Sequence, residues 1–190
     1  MKFDPKAEEQ LKEIVLKILE HGRPNWDIPH TLAAVHWMKE LLKKESGDER
    51  ILIPAMYLHD IGYSQVDATF TDFKSTVSAS ADHMRNGVII AEPILKLLNF
   101  SEEETKEILL LVEVHDKVEL ITTPNEILIF EADSLAQMDT DRAVSNFNEE
   151  DRKKFLESFR QKRLNNFRTK TGKKLIKNLC EKARKFYGID

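Results

Sequence analysis

Apolar residues recur along almost the entire chain at spacings of three and four, and in 190 residues only six glycines and six prolines interrupt them. Side chains three and four apart share one face of an α-helix. A half-buried strand instead needs strict alternation, and no convincing alternating run is present. The fold class this predicts is all-α, a helical bundle.

The segments follow from their punctuation. Asp4-Pro5 opens the first helix, with the aspartate as cap and the proline where a missing N–H costs nothing; Leu11, Ile14, Val15, Ile18 and Leu19 form its buried face, and His21-Gly22 ends it. A second helix starts near Asp27, holds Pro29 in its first turn and runs through Val35, Met38 and Leu42 to Gly47. The third leads from Asp48 to His59-Asp60, with Pro54 in its first turn or kinking it and Gly62 as its stop. After a polar loop around residues 64–76, a helix runs from about Ser78 to Leu98, bent at Pro93. Ser101 to Glu104 reads as a capping box for a helix ending around His115 to Lys117. Another begins near Pro124 and contains Ile127, Leu128, Phe130 and Asp133, and two last helices cover about 148–167 and 172–187. No repeat or long linker divides them, and the length suits one domain over 1–190, at roughly 100–200 residues per domain.

Composition narrows the chemistry. The single cysteine, Cys180, can form neither an internal disulfide nor a zinc knuckle, so a metal site must be built from histidine and carboxylate. The first ten residues carry Lys2, Asp4, Lys6, Glu8 and Glu9 without an apolar stretch, and the longest Ile/Leu/Val run, Ile108 to Val112, is too short to span a bilayer. The expectation is a soluble cytoplasmic protein with no membrane partner. The net charge of −4 conceals a division: residues 1–150 hold 15 Lys/Arg against 29 Asp/Glu, and residues 151–190 hold 14 against 4.

Six side chains stand out: His30, His59, Asp60, His83, His115 and Asp133, each on a segment read as helical and flanked by apolar residues. Any one of these histidines alone reads as an ordinary core or boundary residue. Four histidines and two aspartates spread over five helices would be a costly set of buried polar groups unless something paired them. Neutral imidazole and carboxylate are the donors that hold manganese, iron or zinc without thiolate. His59 and Asp60 are adjacent and point about 100° apart on a helix, so both reach one ion only from a helix end. His21 and His36 are assigned no ligand role.

The order His30, then His59-Asp60 within Tyr57-Leu58-His59-Asp60-Ile61-Gly62, then Asp133 within Glu131-Ala132-Asp133-Ser134-Leu135, resembles the HD-domain superfamily of metal-dependent phosphohydrolases over about residues 26–140. His83, followed by Gly87 and Ala91, and His115 at the end of an apolar helix resemble the third and fourth histidines of members with two metals. The resemblance implies one or two divalent transition-metal ions, manganese or iron first. Asp60 would bridge and orient the attacking water, with His30, His59 and Asp133 on one ion and His83 and His115 on the other. It implies hydrolysis of a nucleotide or other small phosphorylated metabolite. Two other readings stay open: a diiron oxygenase with the same ligand order, and a non-catalytic binding module. Ala33 stands where many small stand-alone members carry an arginine.

Phosphate oxygens need cations, and the candidates by position are Arg85, two residues after His83; Lys117, two after His115; and Arg142, nine after Asp133. Trp26 and Trp37 read as packing residues, and Phe155, Leu156 and Phe159 as the buried edge of a C-terminal helix. The basic set Arg152, Lys153, Lys154, Arg160, Lys162 and Arg163 is expected to dock the C-terminal helices of about 148–187 on the acidic body. Contact with nucleic acid ranks second, for want of interleaved exposed aromatics or a DNA-binding motif.

Overall fold

Polar caps fix where the helices begin. In the computed structural model, which describes residues 2–66 and 72–188, α1 spans Pro5–Leu19, and the Asp4 carboxylate accepts from the Ala7 N–H at 3.0 Å. Reciprocal capping boxes, Ser101 with Glu104 and Thr123 with Glu126, start α6 (Glu102–Val114) and α7 (Pro124–Gln137). Between them in the chain come α2 (Asp27–Leu42), α3 (Glu49–Leu58), α4 (Phe73–Ser78) and α5 (Ser80–Leu97), and α8 (Glu149–Lys162) and α9 (Lys170–Tyr187) follow. Short 3₁₀ turns occupy Ile61–Gln65, Val118–Leu120 and Leu164–Asn166, and no strand occurs among the described residues. The protein is all-α.

Helix α3 is the axis of the bundle. Every residue from Ile51 to Leu58 is buried, as expected of a helix that is apolar all round and enclosed by neighbours. It packs on α1, α2, α6 and α7, while α2 lies along α7 and α5 along α6. The fully buried side chains Met38, Leu41, Leu52, Met56, Leu58, Ile108, Leu111, Leu128 and Phe130 meet there. One apolar cluster runs from Phe3 to Ala183. Pro54 sits inside α3 rather than in its first turn.

Three expectations change. Helix α2 ends at Leu42, short of Gly47, and residues 73–78 of the expected polar loop form α4, with the Asp72 carboxylate accepting from the Ser75 N–H at 2.9 Å. Residues 67–71 of that loop lie outside the described residues. Gly62 does not stop α3 by adopting a left-handed conformation; it lies in the 3₁₀ turn, where the backbone presses against α5. A Cβ there would stand 1.9 Å from the His83 carbonyl oxygen and 2.5 Å from the Gly87 nitrogen. The glycine lets the segment after His59-Asp60 meet the helix that carries His83.

The basic C-terminal helices dock on the body through apolar contact as well as through charge, Arg163 pairing with Asp116 and Asp133. Lys153, Lys154 and Arg160 pair within α8, with Glu149, Glu150 and Glu157 at 2.7, 2.7 and 3.1 Å. Such exposed i,i+3 and i,i+4 pairs are screened by solvent and contribute little to docking. Apolar burial of Phe159, Phe167, Ile176, Leu179 and Ala183 holds α8 and α9 on the body. Gly172 in the first turn of α9 admits the buried Glu131 carboxylate, which accepts from the Arg168 and Thr169 N–H groups at 2.6 and 2.8 Å. No helix among the described residues is long and apolar enough to cross a membrane.

Because the atoms facing Gly62 are backbone, a side chain there has no flexible neighbour to displace. Gly62→Ala is expected to lower stability by about 2–3 kcal/mol, read as a drop in the urea midpoint; a midpoint equal to that of the parent protein would contradict the close approach.

Candidate metal centre

Two histidines are held by helix ends. His59 is the residue after α3 and His115 the residue after α6, positions where the last carbonyls of a helix lack intrahelical donors. Each ring uses one: His59 Nδ1 lies 2.8 Å from the Met56 oxygen and His115 Nδ1 2.8 Å from the Val112 oxygen. A carbonyl only accepts, so Nδ1 carries a proton in each ring and Nε2 is the nitrogen that faces inward.

The other two are held by aromatic faces. His30, in the first turns of α2, stacks on Trp26 at 5.0 Å and 11°, and His83 of α5 stacks on Tyr63 at 4.1 Å and 10°. Their Nδ1 atoms are buried without a hydrogen-bond partner among the described residues. Trp26, read from the sequence as a packing residue, is thus part of the site.

The Nε2 atoms converge on two groups. In one, His30 Nε2 lies 3.2 Å from His59 Nε2 and 3.0 Å from Asp133 Oδ1, and His59 Nε2 is 3.8 Å from that oxygen. In the other, His83 and His115 Nε2 are 3.4 Å apart and lie 3.4 and 3.5 Å from Asp60 Oδ1. The second oxygen of Asp60, Oδ2, is 3.6 Å from both His30 and His59 Nε2. Donors about 2.1 Å from one ion and 90–120° apart are separated by about 3.0–3.6 Å, so each group has the spacing of a coordination sphere. Both groups are buried. Asp60 stands between them, one oxygen facing each.

Two arginines answer the carboxylates. Arg23, from the α1–α2 connection, holds Asp27 through Nε at 2.7 Å and Nη2 at 2.6 Å, reaches Asp60 Oδ2 at 3.0 Å, and lies 3.4 Å over the Tyr63 ring. Arg163, just beyond α8, donates to Ser134 Oγ at 2.8 Å, to Asp133 Oδ2 at 2.6 Å and to Asp116. Burial alone would raise Asp60 and Asp133; His59, His115, His83 and Arg23 hold the first well below the usual carboxylate range, and Arg163, His30 and His59 the second. Burial likewise opposes, and Arg163 and His115 overcome, at Asp116. Burial pushes the His59 imidazolium down to about 4, against Asp60 and Asp133. At His115 burial is outweighed by the hydrogen bond to Asp60 and the charges of Asp116, Asp60 and Asp133, which lift it to about 9.

A cavity of about 240 Å³ opens onto His30, Asp60, His115 and Asp133. Arg23, Arg163 and Lys162 are its cationic lining. The three cations chosen by sequence position are elsewhere. Arg85 turns to Asp82 on the surface, Lys117 to Glu113 at 3.4 Å, and Arg142 to Asp139 at 2.8 Å, its guanidinium 5.6 Å from the Trp37 ring. Each has an acidic neighbour three or four residues away, closer than the cavity, and none lines it. Of the remaining histidines, His21 is exposed and His36 packs edge-on to Trp37. The sequence reading missed Arg23, Asp27 and Asp116 and gave Arg163 to a docking face. One signal was present: His115-Asp116 repeats the His-Asp pair of 59 and 60.

Fold and site together define an all-helical protein with paired His/Asp clusters suited to divalent metal. The HD domain family model matches residues 27–138, and the chain belongs to that family. No curated protein and no solved structure matched the chain.

Without metal, the two shifted histidines bound stability on opposite sides. His59 stays neutral, so stability is lost as pH falls from 6.5 through about 4; His115 stays charged, so stability is lost as pH rises from 6.5 through about 9. Each arm is worth about 3 kcal/mol. Thermal melts of chelator-treated protein should therefore peak near pH 6.5, and a flat profile from pH 4 to 9 would refute the assignment.

Proposed function

We propose that the protein is a metal-dependent phosphohydrolase acting on a small phosphorylated metabolite. The observation that carries this reading is the placement of Asp60, with one carboxylate oxygen toward His30 and His59 and the other toward His83 and His115. His30, His59 and Asp133 would hold one ion, His83 and His115 the other, and Asp60 would bridge them; imidazole and carboxylate donors suit manganese or iron. Such ions supply an acidified water and a Lewis acid for a phosphoryl oxygen.

The chain's own side chains account for the rest. The His59 and His115 rings, fixed through Nδ1, present Nε2 without rotation. Arg23 and Arg163 hold Asp60 and Asp133 in place as carboxylates. With Ser134, Asp116 and Asp133 each taking one donor, Arg163 keeps an N–H on each terminal nitrogen for a phosphoryl oxygen at the cavity wall. Lys162 stands exposed on the same lining with no carboxylate partner among the described residues. Asp60 would also orient a water against phosphorus. Hydrolysis joins that water oxygen to phosphorus and releases the ester oxygen with a proton. A cytoplasmic setting belongs to the same reading, since the lone Cys180 requires no oxidising compartment.

Mono-, di- and polyphosphate esters screened with manganese, iron, cobalt, nickel and magnesium should reveal turnover with manganese or iron, about two ions per chain by elemental analysis, and loss of both metal and turnover in His59→Ala. A fully loaded protein inert toward every ester would overturn the hydrolase reading. Consumption of oxygen by the iron form, with no phosphate released, would replace it with oxygenase chemistry.

A further inference from the structure

We infer that the substrate is a phosphate monoester of an apolar, ring-bearing alcohol, taken with its phosphate toward the His/Asp groups and its body against a phenylalanine wall. This rests on the phosphohydrolase reading and specifies what that site accepts.

The wall is the first observation. Phe73 of α4, Phe147 of the α7–α8 connection and Phe155 of α8 contact one another pairwise, with ring centroids 5.8 to 6.3 Å apart, and Phe159 continues the row 6.4 Å from Phe155. All four line the cavity. Phe73 and Phe147 take no part in the main core and are only half-buried, and Val77, 50% exposed, extends the same surface. Phe73 and Phe147 complete no core. An apolar body laid on them would remove their remaining surface from water and add ring-to-ring contact.

Charge is the second. Arg23 is shared between Asp27 and Asp60, and Arg163 between Asp116 and Asp133, so four carboxylates outweigh two guanidiniums by two charges. Two divalent ions would turn that excess into a positive one of two, the counterpart of one monoester dianion. Lys162 is the one further Lys or Arg among the described lining residues, and residues 67–71 contain neither type. A diphosphate would set its additional charge against Lys162 alone, an exposed and solvent-screened partner, and a triphosphate would exceed even that.

The polar lining points the same way. Gln137 donates to Asp133, Asn146 to the Pro24 carbonyl and the Thr76 hydroxyl to the Asp72 carbonyl, while Ser145 Oγ accepts from the Phe147 N–H. Each of these groups spends a hydrogen bond on the protein, which leaves Ser80 and Ser158 as the uncommitted serine hydroxyls of the described lining. A polyhydroxylated body would exchange water for few new partners.

Propyl phosphate and 3-phenylpropyl phosphate share a primary alkoxide leaving group and differ only in the ring. The metal-loaded full chain should hydrolyse the phenyl ester with kcat/KM about tenfold higher. It should bind 3-phenylpropylphosphonate, which cannot be hydrolysed, about tenfold more tightly than propylphosphonate by calorimetry. Phe73→Ala, outside the main core, and Phe155→Ala should each bring both ratios to within about twofold, and 3-phenylpropyl diphosphate should be the poorer substrate. Ratios near one in the parent protein, ratios that survive both substitutions, or preference for the diphosphate would overturn the inference. The two readings fail separately. Ring-dependent phosphonate binding without turnover of either ester removes the hydrolase and keeps the pocket; turnover of both without ring preference does the reverse.

Discussion

Four carboxylates sit close together inside a helical bundle, and their neutralisation is the constraint on which the rest of the structure depends. An unpaired buried carboxylate is costly enough that it would protonate rather than remain charged. Here Arg23 spans Asp27 and Asp60, Arg163 spans Asp116 and Asp133, and the imidazoles fill the remaining approaches. Those arginines come from opposite ends of the chain, one before α2 and one after α8. The cluster is therefore satisfied only when the segment before α2 and the segment after α8 both pack at the centre. Breaking either pair would leave an uncompensated buried charge, a loss of about 3–5 kcal/mol.

The geometry of the histidines follows from local rules applied twice. Two rings stand at helix ends and borrow a carbonyl that the helix cannot use; two lie within helices and are braced by an aromatic face. Each coordination group contains one of each kind. A ring fixed by a hydrogen bond has a defined tautomer, whereas a ring fixed by stacking has a defined plane. Combining them specifies both the direction of the lone pair and the depth at which it sits.

Much of this was legible in the sequence, and the exceptions share a cause. Helix starts were readable because Asp4 and Ser101 act on backbone groups within three residues of themselves, and the six clustered side chains stood out because polar residues on apolar faces demand partners. Helix α4 was missed because Asp72 caps it from within a polar stretch that looks like loop. Cations were misjudged because proximity in sequence to a histidine says little about position in space: Arg85 follows His83 yet faces solvent, whereas Arg163, thirty residues beyond Asp133, holds it at 2.6 Å. Gly62 was assigned to a local task, ending a helix, when its task is a contact with α5. Pairings set by tertiary geometry leave no short-range trace.

The match to the HD domain spans residues 27–138 and contains all six clustered histidines and aspartates, but Arg23 lies before it and Arg163 after it. The segment that defines the family thus carries the donors without the counter-charges that keep its Asp60 and Asp133 in place. The flanks are part of the centre's electrical balance. Two proteins with identical central segments and different flanks would share donors yet differ in how strongly those donors attract a cation, so part of what tunes such a centre resides outside the region by which it is recognised.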